Sequence, residues 1–190
     1  LGGVGAVAIY HTKDGDRRST DAAVDAFAPT PTGLLAIVDD AGALADVSVF
    51  AINPDGELTV PGAAAYDAVG GTLVPLPVAA DVSGGHGDER YPLNETVKLF
   101  GVATLVSETE ALLGVSIDGA TVLDRATVTE WLRPLAPIEV ELPHAVADET
   151  GQIAGAGSRS LSAAQVGRAL AAIDPDATPA ERYDVSVALW

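Results

Sequence analysis

Apolar and polar positions change period several times along the chain, and each change predicts an element. Val102, Leu105, Val106, Thr109, Leu112 and Leu113 recur at helical spacing, and Gly114 follows where a left-handed C-terminal cap belongs. This predicts a helix over Val102–Leu113. Thr121, Val122 and Leu123 form a short β-prone run. Asp124 then stands where a carboxylate caps a second helix through Thr127, Trp131 and Leu132, which Pro134 and Pro137 end. Ile138, Val140 and Leu142 alternate with Glu139 and Glu141, the pattern of a strand with one buried and one wet face. Upstream, the apolar runs Gly33–Val38 and Val47–Ile52 flank the turn Asp39-Asp40-Ala41-Gly42, which predicts a β-hairpin. Leu93–Phe100 reads as a helix, with Val97 and Phe100 three apart. Ser162 and Gln165 make a capping box for another helix, with Val166, Ala169, Leu170 and Ile173 on one face.

Other stretches carry weaker patterns. Leu1–Tyr10 reads as the end of an anchor or signal segment or, preferably, as a first strand over Val4–Tyr10. Asp21–Phe27 has room for two helical turns. Asn53-Pro54-Asp55-Gly56 is a turn, Leu58–Gly62 a short strand and Ala63–Val69 a helix. Thr72–Val82, with Pro75 and Pro77, is confined to an edge strand or extended segment, and Ser83–Arg90 is a glycine-rich surface loop. Pro143–Arg159 reads as a long irregular connection, and the alternation of Val185, Val187 and Leu189 as a last strand. The mixture of periods predicts layered α/β architecture. Its central mixed sheet is expected to hold Gly33–Val38, Val47–Ile52, Gly119–Leu123 and Ile138–Leu142, with helices Val102–Leu113 and Ser162–Ala172 packed on it.

Composition narrows the function more than the fold. The 190 residues, 48% of them hydrophobic, suffice for a single domain over 1–190. Ten Lys and Arg against twenty-seven Asp and Glu leave a formal charge of −17, which argues against nucleic acid or an anionic lipid surface as a non-specific partner. The absence of cysteine removes disulfides, thiolate zinc sites and a Cys nucleophile. The longest apolar run, Leu1–Tyr10, is about half the ~20 residues that a spanning helix needs. His11, His86 and His144 have no partner at i+3 or i+4, so no metal site is expected from them. The chain has no Gly-x-Ser-x-Gly elbow, and its glycine clusters, Gly2–Gly5 and Gly84–Gly87, do not match a phosphate-cradling loop.

Four segments, in order, resemble a known domain. Thr32–Gly62 is similar to the strand, turn, strand and Pro-Arg-Asp segment that opens the LytR-CpsA-Psr domain, also called the cell-envelope-related transcriptional attenuator domain. Leu93–Asp124 resembles its helix and following strand, and Ala126–Pro143 its next helix and "GGV-x-V-x-(V/L)-P" strand. Ala154–Ala171 resembles its "AG-x-x-x-L-x-G-x-Q-A-L" helix. The likeness covers roughly 32–172 and leaves 1–31 divergent. It implies a three-layer α/β/α sandwich on the outer face of a bacterial cytoplasmic membrane, in the cell envelope, with a membrane anchor ahead of it. It also implies a hydrophobic tunnel for a polyprenyl phosphate and magnesium-assisted transfer of a glycopolymer phosphate onto peptidoglycan.

The charged residues of that chemistry are where the chain departs from the pattern. Phosphoryl transfer depends on cations that neutralise developing charge and on carboxylates that hold magnesium. Where the family has Pro-Arg-Asp, this chain has Asn53-Pro54-Asp55, which keeps only Asp55. The family's first aspartate falls near Pro31 or Thr32, and its arginines after the last helix fall near Ala171 and Ile173. The remaining candidates for catalysis or anion binding are Asp55, Arg159 and Arg168, joined by Arg182 if a site has been rebuilt. Leu105, Leu112, Leu132 and Val166 are the expected lining of a lipid tunnel. The preferred reading is a non-catalytic envelope domain that binds a polyprenyl lipid, an envelope glycan or a partner protein, with no cofactor. The alternatives are an active transferase that uses magnesium and an unrelated α/β interaction domain.

Overall fold

The computed structural model describes residues 8–11, 31–52, 71–83 and 90–190. Its elements run β1 (Ala8–His11), β2 (Thr32–Val38), β3 (Leu44–Ile52), β4 (Gly71–Pro75), the two-residue strands β5 (Asp81–Val82) and β6 (Tyr91–Pro92), α1 (Leu93–Phe100) and α2 (Val102–Leu113). They continue with β7 (Gly119–Asp124), α3 (Arg125–Leu132) and a 3-10 turn over Arg133–Leu135. The last are β8 (Ile138–Leu142), β9 (Val146–Asp148), β10 (Gly151–Ala154), β11 (Gly157–Leu161), α4 (Ala163–Leu170) and α5 (Pro179–Leu189).

The central sheet has the order β1-β7-β2-β3-β4. It is mixed, because β2 runs parallel to β7 and antiparallel to β3. β2 is apolar on both faces, as a strand covered from both sides must be. Leu34 and Ala36 join Val47, Val49, Leu93, Leu105 and Val106 under α1 and α2. Leu35 and Ile37 join Leu123, Val128, Val166, Leu170 and Val185 under α3, α4 and α5. Helices on both faces make the three-layer α/β arrangement.

Several predicted elements form for the local reasons given. Asp39 closes the β2–β3 turn by accepting the N–H groups of Ala41 and Ala43 at 2.9 and 2.8 Å. Gly114 ends α2 in the left-handed conformation, φ 67°. Asp124 accepts the Thr127 N–H at 2.7 Å, a contact that lowers its carboxyl below the usual 3.8. The Ser162–Gln165 capping box opens α4. β4 is the edge strand that the prolines demanded.

Three expectations are corrected. Ile138–Leu142 is not part of the central sheet. As β8 it pairs antiparallel with β11, with Arg159 opposite Val140. Exposed Glu139 and Glu141 allow cover on one face only, whereas β2 and β3 in the middle of the central sheet are covered on both. Pro143–Arg159 is not an irregular connection: β9 and β10 form a hairpin there and β11 follows, so its backbone groups are paired by strands. Val185–Leu189 is not a strand but the last turns of α5, which the Thr178–Glu181 capping box and Pro179 begin. The expected strand over Val4–Tyr10 is present as β1 from Ala8 onward, and its first residues lie outside the described ones. So do the expectations for Asp21–Phe27, Asn53–Gly56, Leu58–Gly62 and Ala63–Val69, and most of the Ser83–Arg90 loop. Ile173 lies past the end of α4 at Leu170.

Candidate functional site

α5 crosses one end of the sheet beside β3, and between them lies a partly open groove. Its walls are mostly apolar: Leu76 and Val78 after β4, Val146 of β9, Leu170 of α4, and Val185 and Leu189 of α5. α5 presents Arg182, Val185, Ser186 and Leu189, at i, i+3, i+4 and i+7, to this space.

A polar cluster sits inside it. Asp46 belongs to the phase of β3 opposite Val47 and Val49, and is only 4% exposed. Its carboxylate accepts hydrogen bonds from Ser186 Oγ and from Trp190 Nε1, the latter at 2.9 Å. Burial pushes the Asp46 carboxyl above its usual 3.8, while those two donors and the Arg182 guanidinium pull the other way. Arg182 Nη2 donates to the carbonyls of Ala45 and Ala172 at 3.3 and 3.5 Å, and the charges it faces are Asp46 and Asp174. At the rim, His144 Nδ1 is 3.9 Å from Glu181, and Nε2 is 3.5 Å from Asp184. The site offers apolar walls with a few hydrogen-bonding and charged groups at one end.

The residues expected from sequence fall elsewhere. Arg159 turns back on its own hairpin, donating from Nε to Gly155 O at 2.9 Å, from Nη1 to Ser158 O at 3.0 Å and from Nη2 to Ala156 O. Arg168 grips Asp148 in a two-pronged ion pair at 2.5 and 2.6 Å and also donates to the Thr150 hydroxyl and to Gly151 O. Arg168 holds the Asp148 carboxyl far below its usual value. Both guanidinium groups therefore tie the β9–β11 region together and do not converge. Asp55 lies outside the described residues. The tunnel residues do not line one cavity either. Leu105 is fully buried on the α1–α2 face, Val166 and Leu132 pack on the opposite face, and Leu112 is 45% exposed. The sheet separates them because α1 and α2 dock on one of its faces and α3, α4 and α5 on the other.

Asp46, Ser186 and Trp190 were not singled out from sequence, and His144 was weighed there only as a metal ligand. The predicted strand Val47–Ile52 begins one residue after Asp46, and α5 is what covers that residue. The local signal for α5 was Thr178-Pro179-Ala180-Glu181, a capping box with proline at the first helical position. Among the described residues no group of three or more His, Asp or Glu side chains is placed to hold a metal ion, and no helix is long and apolar enough to cross a membrane.

The sequence matches no family model and no curated protein. Solved structures do match. B. subtilis TagV has a TM-score of 0.62 at 15% identity, over 84% of this chain and 61% of its own. TagT bound to LIIa-WTA has a TM-score of 0.59 at 14% identity, over 84% of this chain and 62% of its own. The LytR-CPS2A-psr family protein YwtF (TagT) with bound octaprenyl pyrophosphate lipid has a TM-score of 0.54 at 14% identity, over 87% of this chain and 67% of its own. The chain thus has the fold of the LytR-CpsA-Psr proteins and spans about three fifths of the length of TagV.

Proposed function

We propose that this chain, with its LytR-CpsA-Psr fold, is an extracytoplasmic cell-envelope domain that binds a polyprenyl lipid in the groove beneath α5 and does not transfer phosphoryl groups. The lipid half of the reading draws on the octaprenyl pyrophosphate held by one protein of the same fold and on the apolar walls here. The envelope location draws on the same likeness.

The observation that carries the non-catalytic half is the prior commitment of the guanidinium groups. A transferring phosphoryl group spreads negative charge that several preorganised cations must meet. Here Arg159 and Arg168 are bound to carbonyls and to Asp148, and Arg182 enters the groove facing Asp46 and Asp174. The groove's carboxylates do not fit magnesium, which asks for a near-octahedral set of free oxygens. Asp46 faces two donors and a guanidinium, Asp174 accepts the Asp176 N–H, and the Glu181 carboxylate accepts the Thr178 N–H and hydroxyl at the start of α5. No step is therefore assigned to a metal.

Two measurements test the reading. Protein purified from a bacterial host is extracted and the extract searched by mass spectrometry for polyprenyl lipids, with geranylgeranyl pyrophosphate binding as the direct assay. Phosphate release from that lipid is then followed with and without magnesium, beside a family member that keeps its arginines. Loss of one such cation lowers phosphoryl-transfer rates on the order of 10³-fold or more, so turnover is expected to be negligible. Turnover like the control's, abolished by Asp55→Ala, would make the chain an active transferase. Absence of any lipid binding would remove the lipid reading.

A further inference from the structure

The charged lining of the groove beneath α5 is unbalanced. Among the described residues, three carboxyl groups line it, those of Asp46, Asp174 and Glu181, against the single guanidinium of Arg182. Arg182 is already matched. Its Nη2 donates to the carbonyls of Ala45 and Ala172 at 3.3 and 3.5 Å, and its charge faces both Asp46 and Asp174. The Thr178 N–H and hydroxyl, each 2.8 Å from Glu181 Oε2, hold that carboxyl below its usual 4.5 and keep it an anion. Any positive charge on His144 at the rim is met in turn by Glu181 and Asp184.

We propose that the groove selects a prenyl lipid with an uncharged, hydroxyl-bearing head over the corresponding pyrophosphate, and that Asp174 and Glu181 turn the anionic head away. Selection of this kind presupposes the lipid reading above, and it sets the chain apart from the protein of the same fold that holds octaprenyl pyrophosphate. A pyrophosphate head brings several negative charges. Seated here, it would meet carboxylates and a guanidinium whose charge they already offset, and an ion taken from water without a partner is strongly disfavoured. An alcohol has no charge to desolvate. Its hydroxyl donates and accepts, so it can give a hydrogen bond to Asp46 and take one from Arg182. The two lipids share one prenyl tail, so the apolar walls do not distinguish them.

The charges can be removed with little else changed. Asp174 accepts the Asp176 N–H at 2.9 Å, which an asparagine oxygen also does, and glutamine serves in place of glutamate in a capping box. Geranylgeraniol and geranylgeranyl pyrophosphate are therefore titrated, with divalent ions chelated, against wild type, Asp174→Asn and Glu181→Gln. The signal is Trp190 fluorescence in a Trp131→Phe background, since Trp190 is bonded to Asp46 at 2.9 Å. The alcohol should bind on the order of tenfold tighter, the scale of one like-charge contact near a protein surface. Each variant should strengthen pyrophosphate binding severalfold and leave the alcohol's affinity unchanged, and added salt should narrow the wild-type ratio. A preference that neither variant moves comes from the greater hydrophobicity of the alcohol, and overturns the role of Asp174 and Glu181. Pyrophosphate binding as tight as the alcohol's, or tighter, overturns the selectivity and leaves the lipid reading standing. Failure of both lipids to bind removes the lipid reading and the selectivity with it.

Discussion

Gly33 is the position at which one methyl group should be most costly. It lies in β2 directly opposite Phe50 of β3, and the Phe50 ring lies over it. A Cβ built at residue 33 would stand 2.1 Å from Phe50 Cζ and 2.6 and 2.7 Å from its two Cε atoms. Carbon atoms rest at about 3.5–4.0 Å, so Gly33→Ala obliges the ring to withdraw by about 1.5 Å. Phe50 is partly buried against the core that holds Leu35, Ile37 and Val185, so withdrawing the ring gives up part of that packing. Overpacking of this kind costs about 1–3 kcal/mol. Replacing glycine within a strand returns about 0.5–1 kcal/mol of backbone entropy. The net expectation is a loss of about 1–2 kcal/mol, or ~2–8 °C in Tm for a chain of this size. Urea and thermal unfolding followed by circular dichroism measure it. A double-mutant cycle with Phe50→Val isolates the cause, because removing the ring should make Gly33→Ala neutral or stabilising. If Gly33→Ala is neutral in the native background, or costs the same with Val at 50, the ring is not what limits this site.

Two further outcomes are expected. Asp124→Ala should cost about 1 kcal/mol by uncapping α3, and Asp124→Asn should restore most of it, as measured by urea unfolding. The Arg168-bound Asp148 has a depressed carboxyl, so its contribution to stability is complete above 3.8 and lost as the pH falls through the lower folded-state value. Wild-type protein should therefore lose a component of stability at the acid end of a pH 7 to pH 2 unfolding series that Asp148→Asn lacks.

What the sequence determined by itself was whatever a few neighbouring residues decide. Gly114 ends α2, Asp124 starts α3, Ser162 and Gln165 start α4, and Asp39 closes the β2–β3 turn, each through contacts within four residues. The order of those elements also sufficed to suggest the LytR-CpsA-Psr fold. α5 shows the limit of a local reading. Val185, Val187 and Leu189 alternate as a strand would, yet the capping box and proline ahead of them, together with docking on β3 and β8, place Val185 inward and Val187 outward. The tertiary structure alone decided which strands share a sheet, and it moved β8 out of the central one to pair with β11. It also chose the partners of the charged groups. Arg168 looked available to a phosphate until β9 brought Asp148 to it from twenty residues away. Asp46 meets Ser186, 140 residues away, only because α5 docks beside β3. Pairings across such separations depend on how the layers close, and no local pattern of residues encodes them.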